Sequence, residues 1–212
     1  MVSSLTVDGL HVYVLDGLEQ ISESLFADHL RLLPAWRRRQ ASSFRRHIDQ
    51  LLCVEAYRLL QRALREHYGI EGQPAFRYGP CGKPRLAGYP QIHFSLSHCE
   101  RGVLCVVGNM PVGCDIEAVG TVPDQDVMAA CYSAGERSAV CESPVPAVAF
   151  TRLWTCKEAL LKLSGLGLSA DRLPNVLSSE VTARYLFTTC ERMAQGYVWT
   201  VCRSREGLPI PF

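Results

Sequence analysis

Apolar and polar positions divide the 212-residue chain into helix-period and strand-period stretches that follow one another without strict alternation. His11 to Leu15 (His-Val-Tyr-Val-Leu) reads as a first strand, and Ser22 to Leu33 as a short helix closed by Pro34. From Ile48 to Tyr68, Leu52, Ala56, Leu59, Leu60, Ala63 and Leu64 recur at helical spacing until Gly69 stops the pattern. Gly72 to Pro90, with Gly79-Pro80-Cys81-Gly82-Lys83-Pro84 at its centre, predicts a loop region. Strands are expected at Ile92 to Leu96, Val103 to Gly108 and Val112 to Glu117, because turn residues fall at their junctions. Ser133-Ala134-Gly135-Glu136 fits a capping box and starts a helix, and a longer helix spans Val145 to Leu163 before Ser164-Gly165. Val181 to Cys202 reads as two or three strands. The mixture predicts an α+β fold, with no internal repeat visible in the residues themselves.

Hydrophobic residues make up 48% of the chain and charged residues 20%, which predicts a folded core rather than disorder. The formal net charge of +1 leaves no global pull toward nucleic acid or an anionic membrane, so neither partner is expected. No apolar run approaches the roughly 20 residues of a membrane span, and the N-terminal stretch lacks the basic start and apolar run of a signal peptide. The expected location is cytoplasmic. The ten cysteines show no C-x-x-C pair or zinc-type spacing, and several sit in apolar strings, such as Cys105 in Val103-Leu104-Cys105-Val106-Val107. They read as reduced and structural.

Four segments carry candidate chemistry. In Gly113-Cys114-Asp115-Ile116-Glu117, strand alternation puts Asp115 and Glu117 on one face. Two such carboxylates repel unless a cation lies between them, and hard oxygen donors suit Mg²⁺ with its waters and substrate phosphates. In Trp154-Thr155-Cys156-Lys157-Glu158-Ala159-Leu160-Leu161-Lys162, Glu158 and Lys162 stand one helical turn apart, with Trp154 one turn earlier. An i,i+4 Glu-Lys pair is also common surface decoration. Phe94-Ser95-Leu96-Ser97-His98 ends a strand in groups able to hold an anion or act as a base. Finally, Gly82-Lys83-Pro84 and the arginines Arg37, Arg38, Arg39, Arg45 and Arg46 supply cations and close backbone approach. None of the four decides a function alone.

Taken in this order, together with Gly165-Leu166-Gly167-Leu168, the four segments resemble the 4'-phosphopantetheinyl transferases of the longer, single-chain Sfp type, over Leu33 to about Leu168. The resemblance implies two similar α+β halves packed as a pseudo-dimer, residues 1–107 on the nucleotide side and 108–212 on the metal and catalytic side, with coenzyme A in the cleft between them. It implies Asp115, Glu117 and Glu158 as ligands of Mg²⁺ (or Mn²⁺). Lys162 becomes the phosphate-binding lysine, Lys83 a contact near the adenine and 3'-phosphate end, and Ser97 and His98 contacts to the pyrophosphate and 3'-phosphate. Ser133 and Glu136 match a short family signature at a helix start near the carrier site.

The implied reaction moves phosphopantetheine from coenzyme A to a serine of an apo acyl or peptidyl carrier protein. Its catalytic residues are Glu158 as general base, Lys162 and His98. Where family members often carry a further basic residue this chain has Leu51-Leu52-Cys53, so 3'-phosphate contacts fall to Arg39, Arg45 or Arg46. Cys114 replaces a more usual Ile or Val. Two halves in one chain make a monomer sufficient. Three rival readings are an RNA-binding module, a different Mg²⁺-dependent phosphoanhydride enzyme, and a non-catalytic coenzyme A scaffold. The first lacks the interleaved aromatics and basic charge. The second predicts turnover of coenzyme A without a protein acceptor, and the intact acidic and basic set argues against the third.

Overall fold

The computed structural model describes residues 1–167 and 173–205. Its elements run β1 (Val2–Val7), β2 (Leu10–Asp16), α1 (Glu23–Arg31), α2 (Ala35–Ser42), α3 (His47–Tyr68), β3 (Phe76–Tyr78), β4 (Pro84–Leu86), β5 (His93–Cys99), β6 (Gly102–Gly108), β7 (Val112–Ala118), α4 (Gln125–Cys131), α5 (Ala134–Cys141), α6 (Pro146–Ser164), α7 (Ser179–Arg184), β8 (Tyr185–Arg192) and β9 (Tyr197–Ser204).

The two long helices stop where the sequence says they should. Gly69 and Gly165 take left-handed φ values of 62° and 75°, and their N–H groups cap the last turns of α3 and α6. Ser133 and Glu136 form the full capping box of α5.

Two antiparallel sheets follow one plan. The first has the order β1-β2-β6-β5 and the second β7-β9-β8. Setting β1 aside, each unit is a strand, a long helix and a hairpin whose last strand sits in the middle: β2, α3, β5, β6 and then β7, α6, β8, β9. The chain is thus an α+β fold in which one topology occurs twice, a repeat carried by connectivity and absent from the residue pattern. Alternation along each strand separates two cores. Tyr13, Leu15, Val103, Cys105 and Val107 face α3. Val12, Val14, Leu104 and Val106 pack on Cys114, Ile116, Trp199 and Val201 between the sheets. The layers therefore run α3, sheet, sheet, α6, each sheet giving one apolar face to its helix and the other to its partner.

Several elements depart from the sequence reading. The loop from Gly72 to Pro90 contains the short hairpin of β3 and β4. Val181 to Arg184 belongs to α7 rather than to a strand. β1 and α2 escaped the hydrophobic pattern because each is mostly exposed, with no residue buried in β1 and only Ala41 buried in α2. Leu168 lies outside the described residues. Among those residues, no helix is long and apolar enough to cross a membrane.

Candidate active site

The chemistry gathers where the edges of the two sheets meet under α6. Gly113 makes this possible, because a Cβ there would overlap the carbonyl of Ala159 and the backbone of Leu163. Without a side chain at that position α6 lies directly on β7, and Glu158 and Lys162 come down onto the carboxylate face of the strand. The neighbouring edge strand β5 is tied to β7 by side chains: Ser95 Oγ accepts the Cys114 N–H at 3.0 Å, and Ser97 Oγ donates to Asp115 Oδ1 at 2.7 Å.

Asp115 is the centre. It is 2% exposed, and its Oδ1 also accepts from Lys162 Nζ at 2.6 Å, while the same ammonium reaches Ser97 Oγ at 2.9 Å. Its second oxygen, Oδ2, is buried with no partner among the described residues. Burial pushes the Glu117 carboxyl up to about 7, and the charges of Asp115 and Glu158 push in the same direction. Glu158 is raised too, by burial and by Asp115, with Lys162 opposing. Burial works against the Lys162 ammonium, but Asp115 outweighs it and the pKa ends above the ordinary lysine value. The indole of Trp154 acts in the opposite direction, favouring the charged form of Glu117.

This donor set is open rather than closed around a cation. Among the described residues, no three His, Cys, Asp or Glu groups close into a finished metal cage. The fit to Mg²⁺ rests instead on the buried Asp115 Oδ2, orphaned among the described residues, and on two further carboxylates whose protonation is favoured by burial, with the Asp115 charge adding to it. Mg²⁺ usually takes one or two carboxylates and completes its octahedron with water and substrate phosphate, so an open oxygen set suits it.

A cavity of about 310 Å³ adjoins Glu158 and Lys162 and extends along Gly82, Lys83, Pro84, Phe94 and Leu96. A second of about 310 Å³ opens on the other side of Glu117, against Val127, Tyr132, Phe150 and Trp154. The carboxylate cluster thus lies between a loop-lined cleft and an apolar one.

The other expected residues are placed unevenly. His98 ends β5 near the cluster. Although solvent reaches the ring, the packing around it and then the Lys162 charge hold its pKa below the ordinary value. Lys83 turns inward: its ammonium donates to Val112 O at 3.2 Å and Leu163 O at 2.9 Å, tying the loop to β7 and the end of α6. Burial, then Arg85, lowers its pKa to about 8. Arg39 is exposed on α2, and Arg46 is an exposed residue 3.8 Å from Asp49; among the described residues no contact joins either to the cluster. The α2 cation whose field reaches His98 is Arg37, half-buried and donating to Cys53 O at 2.8 Å.

Glu136, expected near a docking site, is fully buried. Both its oxygens accept from Lys157 at 2.8 Å, and one accepts the Val176 N–H. Trp154, Gly113 and Arg37 are the residues that sequence reasoning did not single out for the site. The first two had a visible signal, one as the residue a turn before Glu158 and the other as the glycine opening the acidic strand.

Residues 111–202, which hold the whole acidic cluster and Lys162, match the sequence model of the 4'-phosphopantetheinyl transferase superfamily. The chain is 32% identical over 136 residues to the 4'-phosphopantetheinyl transferase psf-1 of Bacillus pumilus, covering 63% of this chain and 58% of that protein. It is 34% identical over 118 residues to a 4'-phosphopantetheinyl transferase of Bacillus subtilis, covering 52% and 50%. It is also 29% identical over 212 residues to the L-aminoadipate-semialdehyde dehydrogenase-phosphopantetheinyl transferase of Eremothecium gossypii, covering 88% and 76%. The matched stretch spans about half the length of the first two of these relatives. This similarity is centred on the strand and helix that build the site, and over residues 111–202 the chain is similar to the 4'-phosphopantetheinyl transferases.

Proposed function

We propose that the protein transfers 4'-phosphopantetheine from coenzyme A to a serine of an apo acyl or peptidyl carrier protein, with Mg²⁺ (or Mn²⁺) bound and adenosine 3',5'-bisphosphate released. The observation that carries this reading is the convergence of Asp115, Glu117, Glu158 and Lys162 between two clefts, within residues that match the sequence model of the 4'-phosphopantetheinyl transferase superfamily. The loop-lined cleft takes the nucleotide and the apolar one the pantetheine arm, which puts the pyrophosphate at the carboxylates. Residues 1–107 serve mainly the nucleotide, and residues 108–212 the metal and the reaction.

In the reaction the carrier serine oxygen attacks the phosphorus that bears pantetheine. The anhydride bond to the nucleotide phosphate breaks, and the electron pair leaves on 3',5'-ADP. Glu158 takes the serine proton; its raised pKa makes it a better proton acceptor than an exposed carboxylate. Lys162, held by Asp115 and Ser97, presents fixed positive charge to the phosphates. Ser97 and His98 contact phosphate oxygens at the end of β5, and Lys83, Arg39 and Arg46 stand as contacts on the nucleotide side. Asp115, Glu117 and Glu158 are the residues that would hold the metal, which would supply Lewis-acid charge at the pyrophosphate. One chain contributes both clefts, so a monomer suffices, and ten unpaired cysteines suit a reducing cytoplasm.

Intact-mass spectrometry of an apo carrier mixed with the protein, coenzyme A and Mg²⁺ tests the reading. A mass gain of one phosphopantetheine, lost with EDTA and reduced more than about 10³-fold by Asp115→Ala, is the expected result. Turnover of coenzyme A without a carrier, or no gain across acyl and peptidyl carriers, overturns it. Near-normal transfer by Glu158→Gln would remove that residue's role as base.

A further inference from the structure

The short hairpin of β3 and β4 carries charge that its surroundings do not balance. Arg77 and Arg85 are partners in register across it, which sets their Cβ atoms roughly 5 Å apart on one face. Like charges placed opposite each other weaken a strand pair. Neither guanidinium pairs with a carboxylate among the described residues. Their neighbours Phe76 and Leu86 point the other way, into the core around Tyr57 and Phe94, so hairpin packing fixes the arginines on the outer face.

That face borders a cavity of about 460 Å³, lined also by Lys83, His93 and Tyr89 and, among the described residues, by no Asp or Glu. The excess positive charge is felt nearby. Burial and then Lys83 and Arg85 hold His93 below its ordinary pKa; burial and then Arg85 do the same for Lys83. The Lys83 ammonium is already committed to two carbonyls and leaves the arginines as the cations free to take a ligand. A guanidinium presents a planar fork of donors matched to phosphate oxygens, and two converging forks discriminate in favour of a dianion. Tyr89 and Pro111 add apolar wall for an organic group.

We propose that the cavity between the β3–β4 hairpin and the start of β5 is a second oxyanion site, separate from the carboxylate cluster, where Arg77 and Arg85 hold a phosphate dianion. It adjoins the nucleotide-side cleft across Lys83 and Pro84. The dianion has two possible sources, free phosphate or the phosphate of a nucleotide, and only the second draws on the function proposed above.

The test is a titration of the full chain, without carrier or metal, followed by thermal shift and by phosphorus NMR. The probes are inorganic phosphate and adenosine 3',5'-bisphosphate, and the proteins are the unaltered chain, R77Q/R85Q and Asp115→Asn. Both arginines are exposed, so the double variant folds, and its ligand-free melting temperature stays level or rises as the repulsion is removed. The expected result is saturable binding that weakens about tenfold or more in R77Q/R85Q and is unchanged for phosphate in Asp115→Asn. Loss for both probes assigns the site to phosphate in general, and loss for the bisphosphate alone assigns it to a nucleotide. Equal binding of both probes by the unaltered chain and R77Q/R85Q, or no binding of either, overturns the proposal. Failure of the transfer reaction leaves the phosphate result standing, so the two readings fall separately.

Discussion

The two strand–helix–hairpin units share a topology but not a chemistry. In the first, β2 offers Val12, Tyr13, Val14 and Leu15 in sequence, and the polar tip of Tyr13 is satisfied by Glu66 at 2.6 Å and His67 at 2.7 Å. In the second, the corresponding strand β7 carries Cys114, Asp115, Ile116 and Glu117, and one buried oxygen of Asp115 has no partner among the described residues. The helices differ in the same way. α3 buries Glu55 in a closed group with His29 and Arg58, whereas α6 buries Lys157 against Glu136 and turns Glu158 and Lys162 toward the cleft. The leading strand and long helix of the first unit use these polar groups for structure. The second has both kinds side by side on one helix: Lys157 pairs within the protein, and among the described residues its neighbour Glu158 does not. A buried polar atom left unsatisfied costs stability, and proteins retain such atoms mainly where a ligand completes them.

This contrast can be broken in three places. The largest effect is expected at Lys157. Replacing it with Met leaves Glu136 as a buried charge without its cation, which costs about 3–5 kcal/mol and also frees the Pro174 carbonyl it holds at 2.5 Å. Chemical denaturation measures the loss. Adding Glu136→Gln should recover a good part of it, and no recovery would mean that Lys157 acts by packing alone.

The next effect is a pH slope from Lys83. Its folded-state pKa of about 8 lies below the ordinary 10.5, so the unfolded chain holds more protons between those values. The stability contribution therefore rises as pH climbs from 8 to 10.5 and is lost as pH falls back through 8. Unfolding free energies across that window, compared with Lys83→Met, should diverge in favour of the unaltered chain; parallel curves would contradict the inward, desolvated placement.

The smallest effect is at Tyr13. Tyr13→Phe removes a hydrogen bond at the position where the second unit carries its acidic strand, and should cost about 1 kcal/mol of stability with transfer rates unchanged. A drop in transfer would show that the first unit's strand takes part in the reaction.

Much of this was legible beforehand because it depends on short-range rules. Alternation put Asp115 and Glu117 on one face, helical spacing put Glu158 and Lys162 on another, and glycines marked both long helices' ends. What stayed hidden depends on long-range packing. The sequence offers no sign that Lys83 folds inward to carbonyls 29 and 80 residues away. It equally gives no sign that Arg37, rather than Arg39 or Arg46, is the arginine near His98, since all stand in one polar stretch. The repeat was invisible for the same reason: topology is set by which strands pair, and two unlike residue patterns can satisfy one pairing order.

The doubled topology has a consequence for how freely the site could be composed. Had the same cleft been built by two copies of one unit related by a symmetry axis, each residue would have to serve in both settings at once, at the reacting centre on one side and in the supporting wall on the other. An aspartate suited to the first setting would be imposed on the second. Joining the two units in one chain removes that compromise: β7 can hold Asp115 and Glu117 while β2 stays apolar, and neither choice constrains the other.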